Sequence, residues 1–248
     1  MRVRPELAPV ERALAERDEP VRLWWRDDDA GRAHPRLFAL LRLVRALEVP
    51  IALSVVPAWL EPETIGAVLA TPEASVLQHG FAHEDHARAG ERKIELGGGA
   101  DRGLLAARLR QGSAILRAAF GPRFLPVLVP PWNRIARDVV EELPSLGFRV
   151  LSIWDEGDLG PMPPGLARLD VHLDPIDWRG GRRWIGLEEL ARRFARRIAT
   201  ARGPLGLVTH HPVTEDAAFA ELAALLGVLR DHPRVRFMTA TGLLEDGS

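Results

Sequence analysis

The chain of 248 residues contains no cysteine, no tyrosine and one lysine, Lys93. Without cysteine there can be no disulfide, no thiolate metal site and no cysteine nucleophile. Arginine supplies nearly all the positive charge, which reads as a bias towards GC-rich codons and not as a phosphate-binding signal. The formal net charge of −1 offers no footprint for nucleic acid or an anionic membrane, so neither is expected as a partner. No apolar run approaches the length of a membrane span. Met1 to Glu19 lacks the apolar core of a signal peptide, so a cytoplasmic location is expected. No Gly-x-Gly-x-x-Gly follows the first apolar run, which argues against an open dinucleotide-binding sheet. Gly97-Gly98-Gly99 lies in a polar stretch and reads as a flexible loop.

Apolar bursts alternate with amphipathic stretches. Strands are expected at 21–25, 51–56, 75–78, 124–129, 148–153, 169–173, 205–209 and 235–238. Helices are expected at 35–47, 62–70, 101–120, 135–146, 187–201 and 216–229. This alternation predicts a parallel α/β architecture, closed or nearly closed into a barrel. No internal repeat or long linker divides the chain, so one catalytic domain over 1–248 is expected. The longest loops, 84–99 and 155–165, are lid candidates.

Barrel enzymes carry their chemistry where strands end, and here those ends are polar. The first ends Arg26-Asp27-Asp28-Asp29 and the third His79-Gly80-Phe81-Ala82-His83. The fourth runs into Pro131-Trp132-Asn133, a later one into Asp174-Pro175-Ile176-Asp177-Trp178, and another into Thr209-His210-His211. Adjacent aspartates raise one another's pKa unless compensated, and a divalent cation compensates them well. A helix cap with solvated loop charges is the competing explanation. His79 and His83 are four apart, a spacing that lets both imidazoles face one point, although two histidines also fall at that spacing by chance. With one carboxylate they would make a metal set with positions open for water and substrate. His86 reads as an ordinary loop residue. His210 or His211 can serve as a general acid, since imidazole titrates near neutrality. Strand alternation allows only one of them to face the site. Trp132 and Trp178 can stack on a sugar face or pack in the core.

These motifs, in this order, resemble those of the polysaccharide deacetylases. Arg26-Asp27-Asp28-Asp29-Ala30 is similar to that family's Thr-Phe-Asp-Asp-Gly, and His79-Gly80-Phe81-Ala82-His83 to its His-(Ser/Thr)-x-x-His. Val129-Pro130-Pro131-Trp132-Asn133 occupies the place of Arg-x-Pro-x-Gly, Asp177-Trp178 that of the fourth motif, and Leu207-Val208-Thr209-His210 that of Leu-x-His. The resemblance spans 26–211. It implies a deformed (β/α) barrel of about seven parallel strands and one divalent metal ion, usually zinc, held by Asp29, His79 and His83. It also implies hydrolysis of an N- or O-acetyl group on an acetylated saccharide, with Asp28 as base and His210 as acid. If Asp27-Asp28 is the family's pair instead, both aspartate roles move back by one.

Two departures stand out. Val129 replaces the arginine that braces the family's catalytic aspartate, and Arg26 is the candidate to supply that charge. Asn133 replaces a glycine and becomes a substrate-binding candidate with Trp132 and Trp178, while Asp177 and His211 are supporting candidates. These departures keep two other readings open: hydrolysis of another small-molecule amide or ester, or a catalytically silent carbohydrate-binding relative.

Overall fold

The computed structural model describes residues 4–155, 157 and 159–246. The chain enters through α1 (Ala8–Ala15), whose Val10, Ala13 and Leu14 recur at helical spacing and are buried. After it come β1 (Val21–Ala30), α2 (Pro35–Leu47), β2 (Ile51–Val55), α3 (Pro62–Leu69), β3 (Ala74–His79), α4 (Arg102–Phe120) and β4 (Phe124–Val129). They are followed by α5 (Arg137–Glu142), β5 (Val150–Leu151), β6 (Ala167–Arg168) and an antiparallel hairpin of β7 (Ile176–Asp177) and β8 (Arg183–Trp184). The last elements are α6 (Leu187–Thr200), β9 (Leu205–Thr209), α7 (Asp216–Asp231), β10 (Val235–Phe237) and α8 (Ala240–Asp246). Local chemistry sets the helix ends. The Asp101 carboxylate accepts from the Leu104 N–H at 2.7 Å at the start of α4, and Gly121 at φ 55° ends it.

Strands β1 to β6 pair in chain order, all parallel, and β9 returns to pair with β1. Arg26 is paired with Ala52 on β2 and with Val208 on β9, so those two strands flank β1 on opposite edges. Beyond β6 the chain bridges Trp154 through Val171 and Leu207 through Leu173. The His172 N–H donates to the Gly206 carbonyl at 2.8 Å, and the Val208 N–H to that of Leu173 at 2.8 Å. Seven parallel strands, β1 to β6 and β9, therefore curl into a deformed barrel, as the alternation and the resemblance lead one to expect, and β10 adds an eighth beside the start of β1. The expected strand at 169–173 survives only as these isolated bridges. Gly206 allows this narrow seam: a Cβ there would lie 2.5 Å from the Asp170 carbonyl oxygen and 2.6 Å from the Trp24 indole nitrogen.

The two-residue period of β1 sorts its side chains between two cores. Trp24 packs inside with Leu77, Val127, Val150 and Val208, whereas Trp25 joins the layer between sheet and helices. Arg26 and Asp28 share the parity of Trp24, and Asp27 that of Trp25. Polar residues thus continue the strand four places past Trp25, where the sequence alone suggests it ends. The loop 84–99 is pinned: Glu95 and Leu96 are buried, Leu96 bridges Ile135, and the His86 N–H donates to the Ile94 carbonyl. Of the other lid candidate, residues 156 and 158 lie outside the described residues. Its Leu159 and Pro161 carbonyls accept from Arg137. Among the described residues no helix is long and apolar enough to cross a membrane.

Candidate metal centre

The polar strand ends meet at one mouth of the barrel, where β1, β3, β4 and β9 all finish. Between Asp27 and Ala30 the β1–β2 register shifts, and Asp29 takes φ 67°. This left-handed turn is uncommon for a non-glycine residue. It breaks the strand's alternation and directs Asp29 to the histidines. Its Oδ1 lies 3.3 Å from His79 Nε2 and 3.2 Å from His83 Nε2. Donor atoms of these three residues lie within 4.8 Å of one another.

His79 ends β3, and its Nδ1 lies 2.9 Å from the Val129 carbonyl oxygen. A carbonyl can only accept, so Nδ1 carries a proton; the neutral ring then has a lone pair on Nε2 free to ligate a cation, and the protonated ring has an Nε2–H that donates to Asp29. Two imidazole nitrogens and a carboxylate oxygen converging in this way fit a divalent cation. Without one they compensate each other. Burial pushes Asp29 up, but hydrogen bonds from His79 and His83 outweigh it and hold the carboxyl well below the usual range. Burial pushes His79 down, yet its bond to Asp29 and the charges of Asp28 and Asp29 raise it.

His83 stands on a loop built around a residue that spacing gives no reason to choose, Glu95. Its buried carboxylate accepts from the N–H groups of Phe81 at 3.0 Å, Ala82 at 2.8 Å and His83 at 3.2 Å. Gly80, at φ 54°, is needed here because a Cβ would lie 2.0 Å from Glu95 Oε2. Trp59 and Trp132 flank the His83 ring at centroid distances of 5.4 Å and 4.4 Å.

Asp28 is buried and held by Arg26, which is fully buried too. Nη2 donates to Oδ2 at 2.9 Å, and Nε lies 2.8 Å from Oδ1. The same guanidinium donates to Ser152 Oγ at 2.7 Å and to Asn133 Oδ1 at 3.1 Å. Trp132 at φ 56° and Asn133 at φ 53° make the turn that brings Asn133 there. Asn133, a substrate-binding candidate by sequence, therefore contributes its carboxamide oxygen to the brace. Burial pushes Asp28 up, but Arg26, with His79 and His210, more than offsets this and holds it below its usual value. Asp27 faces the other way. It accepts from Thr209 Oγ1 at 2.7 Å and from the His211 N–H at 3.1 Å, and its Oδ1 lies 2.5 Å from His211 Nδ1.

The two neighbouring histidines, just past the end of β9, point to different partners, as the alternation of that strand would have them do if continued. His210 Nε2 lies 3.8 Å from Asp28 Oδ2, while His211 belongs to Asp27. Behind His210 stands Asp174, which the motif comparison passes over in favour of Asp177. Asp174 Oδ2 lies 3.9 Å from His210 Nδ1 and accepts from Trp178 Nε1 at 2.7 Å. Burial raises its pKa despite the opposing pull of His210. Asp177 instead caps the hairpin turn through the N–H groups of Arg179 and Gly180. Trp178 is 40% exposed and meets the His210 ring edge-on at 4.7 Å, which places it on the rim. The His86 Nδ1–H donates to the Glu95 carbonyl, 2.7 Å away, and His86 stays outside the donor set.

No protein-family model matches the sequence, and no curated protein matches it. Solved structures do match in fold. A Mycobacterium smegmatis protein carrying the polysaccharide deacetylase name aligns at TM-score 0.65 and 19% identity over 86% of this chain and 75% of that one. A family 4 acetyl xylan esterase from Clostridium thermocellum, solved with cobalt, aligns at TM-score 0.56 and 14% identity over 90% of each chain. A CE4 family pseudoenzyme from Bacillus anthracis aligns at TM-score 0.59 and 12% identity over 92% of this chain and 66% of that one. The chain therefore has the polysaccharide deacetylase fold, at identities that speak for fold alone.

Proposed function

We propose that the chain is a metal-dependent hydrolase that removes an N- or O-acetyl group from a carbohydrate-type substrate. The observation that carries this reading is the Arg26-braced Asp28 carboxylate placed between the Asp29–His79–His83 donor set and His210. Asp29, His79 and His83 would hold the ion, zinc by family resemblance. When bound, it would polarise the acyl oxygen and make a water acidic enough to react near neutral pH.

In this reading Asp28 receives a proton from the attacking water. Its depressed pKa keeps it ionised and ready to accept. The water oxygen bonds to the acyl carbon, the C–N or C–O bond breaks, and His210 gives a proton to the departing amine or alcohol. Asp174, 3.9 Å from His210 Nδ1, would act on His210 through its charge and not through a hydrogen bond. Trp132 and Trp178 form the rim against which a sugar face can stack. Asn133 and Ser152 act through Arg26, holding the guanidinium that holds Asp28.

The test is release of acetate from acetylated saccharides by the metal-loaded chain, its loss on chelation and its loss in Asp28→Asn. Robust release by Asp28→Asn would remove the base from the scheme. Two other readings share this site. A different small-molecule amide or ester would appear as turnover confined to non-saccharide substrates. A silent binding protein, favoured by the pseudoenzyme among the fold neighbours, would bind saccharide and release no acetate.

A further inference from the structure

Beside the metal centre opens a cleft of about 250 Å³, lined by Asp29, His83, Trp59, His34, Arg32 and Arg182 among others. Its two arginines come from distant parts of the chain, Arg32 just after β1 and Arg182 from the β7–β8 hairpin. Both are exposed. Each guanidinium lies over an indole, Arg32 at 4.2 Å from the Trp59 ring and Arg182 at 5.4 Å from that of Trp178. Arg182 is held at φ 56°, a conformation that the neighbouring glycines could adopt without strain.

Among the described residues neither arginine has a carboxylate within ion-pair distance. Elsewhere arginine finds one readily: Arg108 meets Glu84 at 2.6 Å, and Arg168 meets Asp170 at 2.7 Å. The nearby acids are already engaged, Asp27 by His211, Asp28 by Arg26, and Asp29 by His79 and His83. A third donor stands with the arginines. His34 Nδ1 accepts from the Arg36 N–H at 3.2 Å, so the neutral ring carries its proton on Nε2. Two unpaired guanidiniums and an imidazole N–H beside a metal centre form a receptor for an oxyanion.

We propose that Arg32, Arg182 and His34 bind an anionic group of the substrate, so that the acyl compound it takes carries a carboxylate or a phosphate close to the acyl carbon. This rests on the reading of the site as a metal-dependent deacylase. A neutral glycan would leave both guanidiniums without a partner, whereas an anion would be drawn to the cleft and oriented with its acyl group towards Asp28.

The test is equilibrium binding to the metal-loaded chain in a His210→Ala background that blocks turnover, read by tryptophan fluorescence at Trp59 and Trp178. The probes are N-acetylglycine for a carboxylate, N-acetylglucosamine 6-phosphate for a phosphate, and neutral N-acetylglucosamine. At least one anion is expected to bind about ten-fold tighter than the neutral probe, and which one does so identifies the group. The preference should shrink at high salt, because both arginines are exposed, and vanish in Arg32→Gln/Arg182→Gln. Equal affinity for all three probes, no binding of either anion, or a preference that survives both substitutions overturns the proposal. Turnover by the unsubstituted chain separates the two claims. Charge-selective binding without acetate release keeps the anion site and sinks the deacylase reading. Acetate release without charge selectivity does the reverse.

Discussion

Arg26 and Asp28, two residues apart on one strand, face the same way and form a fully buried two-point ion pair. Neither charge can be left alone in such a place. Substituting Arg26 by methionine would strand the Asp28 carboxylate, and breaking a buried pair from one side costs about 3–5 kcal/mol. Urea unfolding is expected to show a loss of that size in Arg26→Met and substantial recovery in Arg26→Met/Asp28→Asn. A single substitution that leaves stability unchanged would contradict the pairing.

Glu95 supports His83 from beneath by accepting three consecutive backbone N–H groups. Groups that orient a metal ligand typically alter metal affinity by about 10–100-fold. Glu95→Gln is therefore expected to fold and to bind zinc ten-fold or more weakly in competition with a chelating dye. Unchanged affinity would show that the loop holds its shape without the carboxylate.

Much of this site is visible in the sequence, for a definable reason. Strand alternation places Asp28 with Arg26 and away from Asp27, and it separates His210 from His211. Adjacent residues in a strand, or just past its end, thus meet different partners. That period puts Asp28 on the Trp24 side of the strand, inside the barrel, and Asp27 on the other, which is the arrangement the proposed roles require. Glu95 and Asp174 are less legible, because Glu95 acts across the closure of its own loop, Asp174 acts on a segment distant in the chain, and neither belongs to a spaced motif. The exchange of Val129 for the family's arginine looks like a loss in one dimension. In three, Arg26 reaches Asp28 from two places earlier on the same strand. The helix at Ala8–Ala15 carries its signal in Val10, Ala13 and Leu14, which the surrounding charges obscure. The reduction of 169–173 to bridges has no local cue, since it depends on where Gly206 lets the backbone approach.

Asp174 makes no contact with the donor set and reaches the proposed chemistry only through His210. Asp174→Asn is expected to lower kcat with little change in KM and with metal content intact. The loss should be smaller than that of His210→Ala, for which a general acid's usual contribution of about 10²–10⁴-fold sets the scale. A change in KM alone would move Asp174 to substrate binding through its bond to Trp178.

The raised pKa of His79 gives a pH signature in the chelator-treated chain. A folded-state value above the unfolded one adds stability that is complete below about pH 6.5 and is lost as the pH rises through the folded value. The stability difference between the chain and His79→Gln should therefore shrink as the pH is raised from about 6 to about 9. A difference that is constant over that range would mean that the imidazolium–Asp29 attraction does not operate.

The central claim, that Asp29, His79 and His83 form one metal site, is tested most directly by elemental analysis of the purified chain beside Asp29→Ala and His79→Ala. One divalent ion per unsubstituted chain is expected, with loss of that stoichiometric metal from both variants and circular dichroism showing both still folded. Metal content that is unchanged in the two folded variants would contradict it.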